Sequence, residues 1–292
     1  MNNKPQKDER EKNKIEGGVL YLVATPIGNL ADLSQRAVKV LSEVDFIAAE
    51  DTRNSLKLLS YLGISKPMIS YFEHNKRERG QMIVDRLKSG ESCALITDAG
   101  TPAISDPGED IVALCAEQNV TVTSIPGACA GIVALTVSGL CTSRFCFEGF
   151  LSANKGERRE RLSELEEEYR TMIFHEAPHK LISTLEDMAI SFGNDRKIAL
   201  CRELTKKNEE ILRFTLSEAL DYYKENSPRG EYVLVVEGAD KNAKKEALFE
   251  NMSIYEHVEM YISSGLSKMD AIKKCAKDRG VHKNIIYKEV CN

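Results

Sequence analysis

Between residues 19 and 125 the chain alternates short, continuous apolar runs with stretches in which apolar residues recur every three or four positions. The first kind reads as fully buried strands and the second as amphipathic helices. Strands are predicted over 19–24, 46–49, 68–71, 93–97 and 120–124. The helices between and after them are a first one with its apolar face on Leu33, Ala37, Val40, Leu41 and Val44, then 55–62, 81–88, 111–118 and a small-residue helix over 128–138. Repeated β-α units of this length predict a mostly parallel sheet covered on both faces.

A second series follows, with strands over 145–150, 171–174, 197–201, 211–216 and 232–237 and helices over 155–169, 180–190 and 217–223. It reads as a second α/β domain, divided from the first near 139–144. The polar stretch 238–245 leads into a helical tail over 250–292, within which a helix at 267–276, a turn at Gly280 and a short helix at 283–287 are expected. Residues 1–16 hold five basic and four acidic side chains with no apolar period, and read as a disordered leader. The predicted organisation is therefore a leader at 1–16, α/β domains at 17–140 and 141–240, and a small basic helical extension at 250–292.

A chain of 292 residues suits two domains, and 42% hydrophobic residues suffice for ordinary cores. A net charge of −5 excludes a generically basic coat protein, so any nucleic-acid site must be local. Residues 263–292 carry seven Lys and Arg against three acids. Because screening acts over about 8 Å at physiological salt, a phosphate backbone would respond to that patch rather than to the distant total. Lys268, Lys273 and Lys283 are its candidate contacts. No apolar run approaches the roughly 20 residues of a membrane helix, and no signal-type segment opens the chain, which predicts a cytosolic protein. The eight cysteines form no C-x2-C pair and mostly sit in apolar patterns, where a thiol acts as a small hydrophobe; neither zinc nor a disulfide framework is expected. The charge run at 160–168 reads as a solvated helix face.

In an open α/β sheet, ligands bind beyond the carboxyl ends of the strands. Four loops there are unusual: Thr25-Pro26-Ile27-Gly28-Asn29, Glu50-Asp51-Thr52-Arg53, the long loop from Asp98 through Ala99, Gly100 and Thr101 to Gly108, and Ser124-Ile125-Pro126-Gly127-Ala128. They should share one rim. Neither a G-x-G-x-x-G turn nor a G-x-x-x-x-G-K-[ST] loop is present, which disfavours a pyrophosphate-bearing cofactor. Gly and Pro for close backbone approach, with carboxylates and hydroxyls, suit a ligand with ribose hydroxyls, an adenine edge and an amino-acid end.

The strings LVATPIGNLADLSQRA, AAEDTRNS, LITDAGTPAISDPG, SIPGACA, HEAPHK, RELTKKNEEI and RGEYVLVVEG occur in this order. Together they resemble the tetrapyrrole-methylase fold family, the class III methyltransferases, over about residues 17–240 plus the tail. Within it they resemble the branch that 2′-O-methylates a cytidine of 16S rRNA in the small ribosomal subunit. The resemblance implies two α/β domains with S-adenosylmethionine in the cleft between them, and a homodimer; an in-line methyl transfer of this kind needs no metal. Two positions depart from it: the family's usual Tyr-Glu-Ser-Pro-His-Arg reads His175-Glu176-Ala177-Pro178-His179-Lys180, and a usual His is Asn208.

For the cofactor, the residues singled out are Pro26, Asp98, Ala99, Gly100, Thr101, Ser105, Asp106, Pro126, Gly127, Ala177 and Leu204; Pro102 and Pro107 shape the loop. A ribose hydroxyl is a poor nucleophile when protonated, and a nearby base should help by about 10²–10⁴. Asp51, His74, Glu176 and Glu203 could serve; Asp51 is favoured as the catalytic or substrate-orienting carboxylate, with Asn29 and Arg53 beside it, and Glu176 is kept as a further catalytic candidate. His74, Asn75, Lys76 and Arg77 follow an aromatic pair, a composition that fits a loop stacking on a base and touching phosphate. The alternatives are a methyltransferase of the same fold acting on a tetrapyrrole or other substrate, and a non-catalytic RNA-binding factor.

Overall fold

The computed structural model describes residues 14–240 and 252–291. Most of the expected leader and the 241–251 part of the expected linker and tail lie outside them.

The first sheet comprises β1 (Val19–Val23), β2 (Phe46–Ala49), β3 (Met68–Ser70), β4 (Cys93–Ile96) and β5 (Thr121–Ile125), in the order β3-β2-β4-β1-β5. All its pairings are parallel. Every residue of β1, β2 and β4 is buried, as strands covered on both faces require. Helices α1 (Gln35–Glu43) and α2 (Thr52–Tyr61) cover one face, sharing a core of Val19, Tyr21, Val40, Leu41, Ile47 and Leu59. Helices α3 (Lys76–Lys88) and α4 (Gly108–Glu117) cover the other, around Leu20, Phe46, Tyr71, Ile83, Leu95 and Ile111.

Two helices start earlier than predicted. The Asp51 carboxylate accepts the Arg53 N–H at 2.8 Å, so α2 begins at Thr52 rather than at 55. Helix α3 begins at Lys76 rather than at 81, which places Lys76 and Arg77 in its first turn and not in a free loop.

The second sheet has the order β6 (Phe145–Phe150), β7 (Thr171–Glu176), β10 (Tyr232–Val236), β8 (Lys197–Arg202), β9 (Glu210–Thr215). Only β6 and β7 are parallel; β10 runs antiparallel to β7 and β8, and β8 to β9. Helices α6 (Lys155–Glu164), α7 (Leu181–Phe192) and α8 (Leu216–Glu225) bury one face around Phe174, Leu185, Leu200 and Leu234. Helix α6 stops well short of the predicted end at 169. Helix α5 (Ala130–Val137) covers the other face, packing Ala134 and Leu135 on Ile173, Ala199, Cys201 and Val235. It precedes the chain position where the two α/β units were expected to divide, yet its core is that of the second sheet.

The tail forms three helices, α9 (Ile254–Ser263), α10 (Lys268–Asp278) and α11 (Lys283–Cys291). They bury Val258, Tyr261, Ile272, Cys275 and Ile286 against one another. Ser253 and Glu256 form a capping box at the start of α9.

Candidate active site

The loops that follow β1, β4 and β5 meet at one rim of the first sheet. Thr25 and Gly100 exchange two backbone hydrogen bonds, at 2.9 and 3.1 Å, joining the first loop to the long one. The Thr101 hydroxyl donates to the Ala128 carbonyl at 2.8 Å, joining the long loop to the one after β5. Gly127 lies so close to β1 that a Cβ there would stand 2.6 Å from the Ala24 methyl. The loop after β2 joins through Asn54, whose side chain donates to the Asp98 carboxylate at 3.3 Å.

The second sheet closes over this rim. A Cβ at Gly28 would stand 2.4 Å from the Lys206 side chain and 2.9 Å from the Thr205 hydroxyl, so the first loop rests directly on the turn between β8 and β9. That turn holds Glu203 and Thr205 at φ 51° and 66°, a costly conformation for a β-branched residue. Lys206 ties it down, bridging Glu203 and Glu231 at 2.9 Å each. Burial lowers the lysine's proton affinity, but the two carboxylates more than offset it.

Between the two sheets lies a cavity of about 530 Å³. Its floor on the first-sheet side is Ile27, Ala99, Gly100, Thr101 and Ile104, with Cys129 to Gly131 at the start of α5. The opposite wall is Phe147, Phe150, His175, Glu176, Ala177 and Pro178, and the turn side adds Cys201, Leu204, Lys206 and the start of β10. Five of the residues singled out for a cofactor line it: Ala99, Gly100, Thr101, Ala177 and Leu204.

The others stand around it in different roles. Asp106 accepts from the backbone N–H groups of Ala103, Ile104 and Gly108 at 2.7–3.2 Å, so it builds the long loop instead of offering its oxygens to a ligand. Ser105 sits beside it at φ 64°. Asp98 is exposed at the rim, and Pro26, Pro126 and Gly127 shape the neighbouring turns without lining the cavity.

Glu176 lines the cavity but is 2% exposed and committed to partners. Its carboxylate accepts the Ala177 N–H at 2.8 Å and the Thr184 hydroxyl at 2.6 Å, with the Lys180 ammonium at 3.5 Å. Such a group fixes the turn after β7. Asp51 lies outside the lining; besides capping α2 it receives two hydrogen bonds from the Arg53 guanidinium, at 3.2 and 2.9 Å. Those bonds hold its pKa down at about 2. Asn29 caps a short 3-10 turn by accepting the Ala31 N–H at 3.1 Å.

Sequence reasoning passed over Glu50, although it stands next to Asp51. Its half-buried carboxyl accepts the Asp98 N–H, and burial, then the negative charges of Asp98, Asp106 and Asp51, raise its pKa. It also passed over Phe147, Phe150 and His175, because only the β6–β7 pairing brings them together.

On the neighbouring loop, Phe72 and His74 are exposed and meet edge to face at 6.0 Å. The Asn75 side chain is spent on Phe72 and Ser70, and the Lys76 ammonium on Glu73 and Asp110 at 2.8 Å each, whereas Arg77 is exposed. In the tail, Lys273 pairs with Asp270 at 3.0 Å, while Lys268, Lys277, Lys283 and Lys288 form no ion pair among the described residues. Among those residues no group of three or more His, Cys, Asp or Glu is placed to hold a metal, and no helix is long and apolar enough to cross a membrane.

The chain resembles known proteins along most of its length. It is 47% identical to ribosomal RNA small subunit methyltransferase I of Halalkalibacterium halodurans, over 94% of this chain and 96% of that protein. It is also 47% identical to the protein of the same name from Bacillus subtilis, over 94% of each. Among solved structures, diphthine synthase superposes with a TM-score of 0.58 at 15% identity, covering 75% of this chain and 90% of that one. The uroporphyrin-III-C-methyltransferase of Thermus thermophilus does so with a TM-score of 0.54 at 17% identity, covering 75% and 94%. The family model for tetrapyrrole (corrin/porphyrin) methylases matches residues 19–220, and with the two-sheet architecture and the cavity between the sheets, the chain belongs to that family.

Proposed function

We propose that this protein is an S-adenosylmethionine-dependent methyltransferase that 2′-O-methylates a cytidine of 16S rRNA in the small ribosomal subunit. The observation that carries the reading is the cavity between the sheets, in a chain that matches two ribosomal RNA small subunit methyltransferases over nearly its whole length.

The cavity fits such a cofactor. Its volume lies in the range of about 300–1,000 Å³ that encloses ligands of this size. The walls are mainly apolar, with Ala99 to Thr101 and Ala177 in the lining and with a buried ring nitrogen of His175 that has no partner among the described residues. S-adenosylmethionine supplies an electrophilic methyl carbon on a sulfonium, which becomes a neutral thioether after transfer.

The protein's own part is largely positioning, which can account for about 7–11 kcal/mol of barrier at best. The Gly28 contact with the β8–β9 turn sets the spacing of the two lobes across the cavity, and the Thr25–Gly100 bridge fixes the loops on the first-sheet side. Asp51, with a pKa near 2, acts as an orienting carboxylate: it aims the exposed Arg53 guanidinium at an approaching phosphate. The exposed Phe72–His74 pair and Arg77 offer a stacking surface and a cation on the same rim. The unpaired lysines of α10 and α11 supply a second, electrostatic contact with rRNA.

The reading includes a cytoplasmic homodimer. The exposed side chains of Phe145 on the edge strand β6 and Ile132 on α5 are apolar surface that such an interface would cover.

The test is transfer of labelled methyl from S-adenosylmethionine to purified 30S subunits lacking the modification, with a porphyrinoid as the competing acceptor. Label on one cytidine ribose is expected; label on the porphyrinoid, or on neither, refutes the assignment.

A further inference from the structure

His175 stands in the cavity wall near the end of β7, between two phenylalanines of β6. The rings of Phe147 and Phe150 meet the imidazole edge to face, with centroids 5.2 and 5.3 Å away and planes 80° and 77° apart. On its other side the sheet register sets it beside Val233. The Nε2 atom is buried and has no hydrogen-bond partner. An orphaned polar atom is costly in a folded protein and calls for a reason.

Its surroundings supply none from the protein itself. Nearby polar groups are already paired: Glu176 with Ala177 and Thr184, Lys206 with Glu203 and Glu231, and the Thr101 hydroxyl with Ala128. The charged groups around the ring are Glu231 at the head of β10, Lys206 on the β8–β9 turn, and Lys180, whose ammonium lies 5.9 Å from the Phe150 ring centroid. Helix α5 presents only Ala130 and Gly131 to the cavity, with Cys129 before them. Burial lowers the imidazole pKa, and the Glu231 charge opposes this only in part, so the ring is neutral at physiological pH.

Resting on the reading that this cavity holds S-adenosylmethionine, we infer that His175 is a positioning residue for the bound nucleoside, its orphaned Nε2 accepting a hydrogen bond from a hydroxyl or amino group of the ligand. The neutral ring also keeps a second positive charge away from a ligand that is itself cationic. Protonation of the ring competes with binding.

The test is calorimetric titration of the full-length protein with S-adenosylhomocysteine, a thioether that binds without reacting, alongside thermal melting of the ligand-free protein. His175→Phe should weaken binding roughly 3- to 10-fold, the value of one hydrogen bond, without lowering the ligand-free melting temperature, since it removes an unsatisfied atom. His175→Gln should recover part of the affinity. Wild-type affinity should fall by a similar factor as the pH drops through the imidazole pKa, and that dependence should vanish in His175→Phe. Wild-type affinity in His175→Phe overturns the inference alone. So does a loss of affinity that follows a fall in ligand-free melting temperature and is not restored by glutamine. If the wild-type protein does not bind the thioether at all, the cavity assignment falls, and the inference with it.

Discussion

Adjacent carboxylates at the end of β2 sit in opposite environments. Asp51 is drawn down to about 2 by hydrogen bonds from the Arg53 guanidinium and backbone, while Glu50 is pushed up by burial and by Asp98, Asp106 and Asp51. For Glu50 the folded-state pKa lies above the ordinary value, so the folded protein takes up the proton first, and lowering the pH through that range adds stability. Glu50→Gln should therefore melt higher than wild type at neutral pH and show a flatter melting profile from neutral to mildly acid pH. For Asp51 the sign is reversed: its contribution is present above the ordinary value of 3.8 and is lost as pH falls toward 2. Asp51→Asn keeps an N-cap but loses the grip on Arg53, and should fold normally while single-turnover methyl transfer falls about a hundredfold. Unimpaired transfer would remove Asp51 from the mechanism. Nothing in the string His175-Glu176 told which of the two would be saturated by protein partners and which left open, because the answer comes from Thr184 on α7 and the phenylalanines on β6.

At the scale of elements, the parallel character of the first sheet was readable because each strand is followed by a helix and β1, β2 and β4 are apolar throughout. The largely antiparallel second sheet was not, since β8 to β9 and α8 to β10 return across turns whose direction the hydropathy pattern does not encode. Nor could the pattern show that α5 packs on that sheet. Two contacts make testable joints. Gly28→Ala would force the first loop off Lys206 and should cost about 1–3 kcal/mol by overpacking, with weaker binding of S-adenosylhomocysteine by calorimetry. The buried pair of Arg158 and Asp187, with side chains 6% and 3% exposed and 2.7 Å apart, anchors α6 to α7. Asp187→Ala strands the guanidinium and should cost about 3–5 kcal/mol in chemical denaturation.

Across the whole molecule, a net charge of −5 coexists with a basic three-helix tail that has its own core. If Lys268, Lys277, Lys283 and Lys288 contact phosphate, changing all four to Ala should reduce the slope of log affinity against log salt by about 0.7–0.9 per lost contact. Binding of S-adenosylhomocysteine should stay unchanged, because the cavity lies between the two sheets. The site itself was half legible. The four loops share one rim, yet only those after β1 and β4 reach the cavity, and its aromatic wall comes from the second sheet. The most direct measurement of the central claim is mass spectrometry of nuclease fragments of 16S rRNA from cells with and without this protein. One cytidine fragment lighter by a single ribose methyl in the deletion strain is the predicted result; identical fragment masses in the two strains would contradict it.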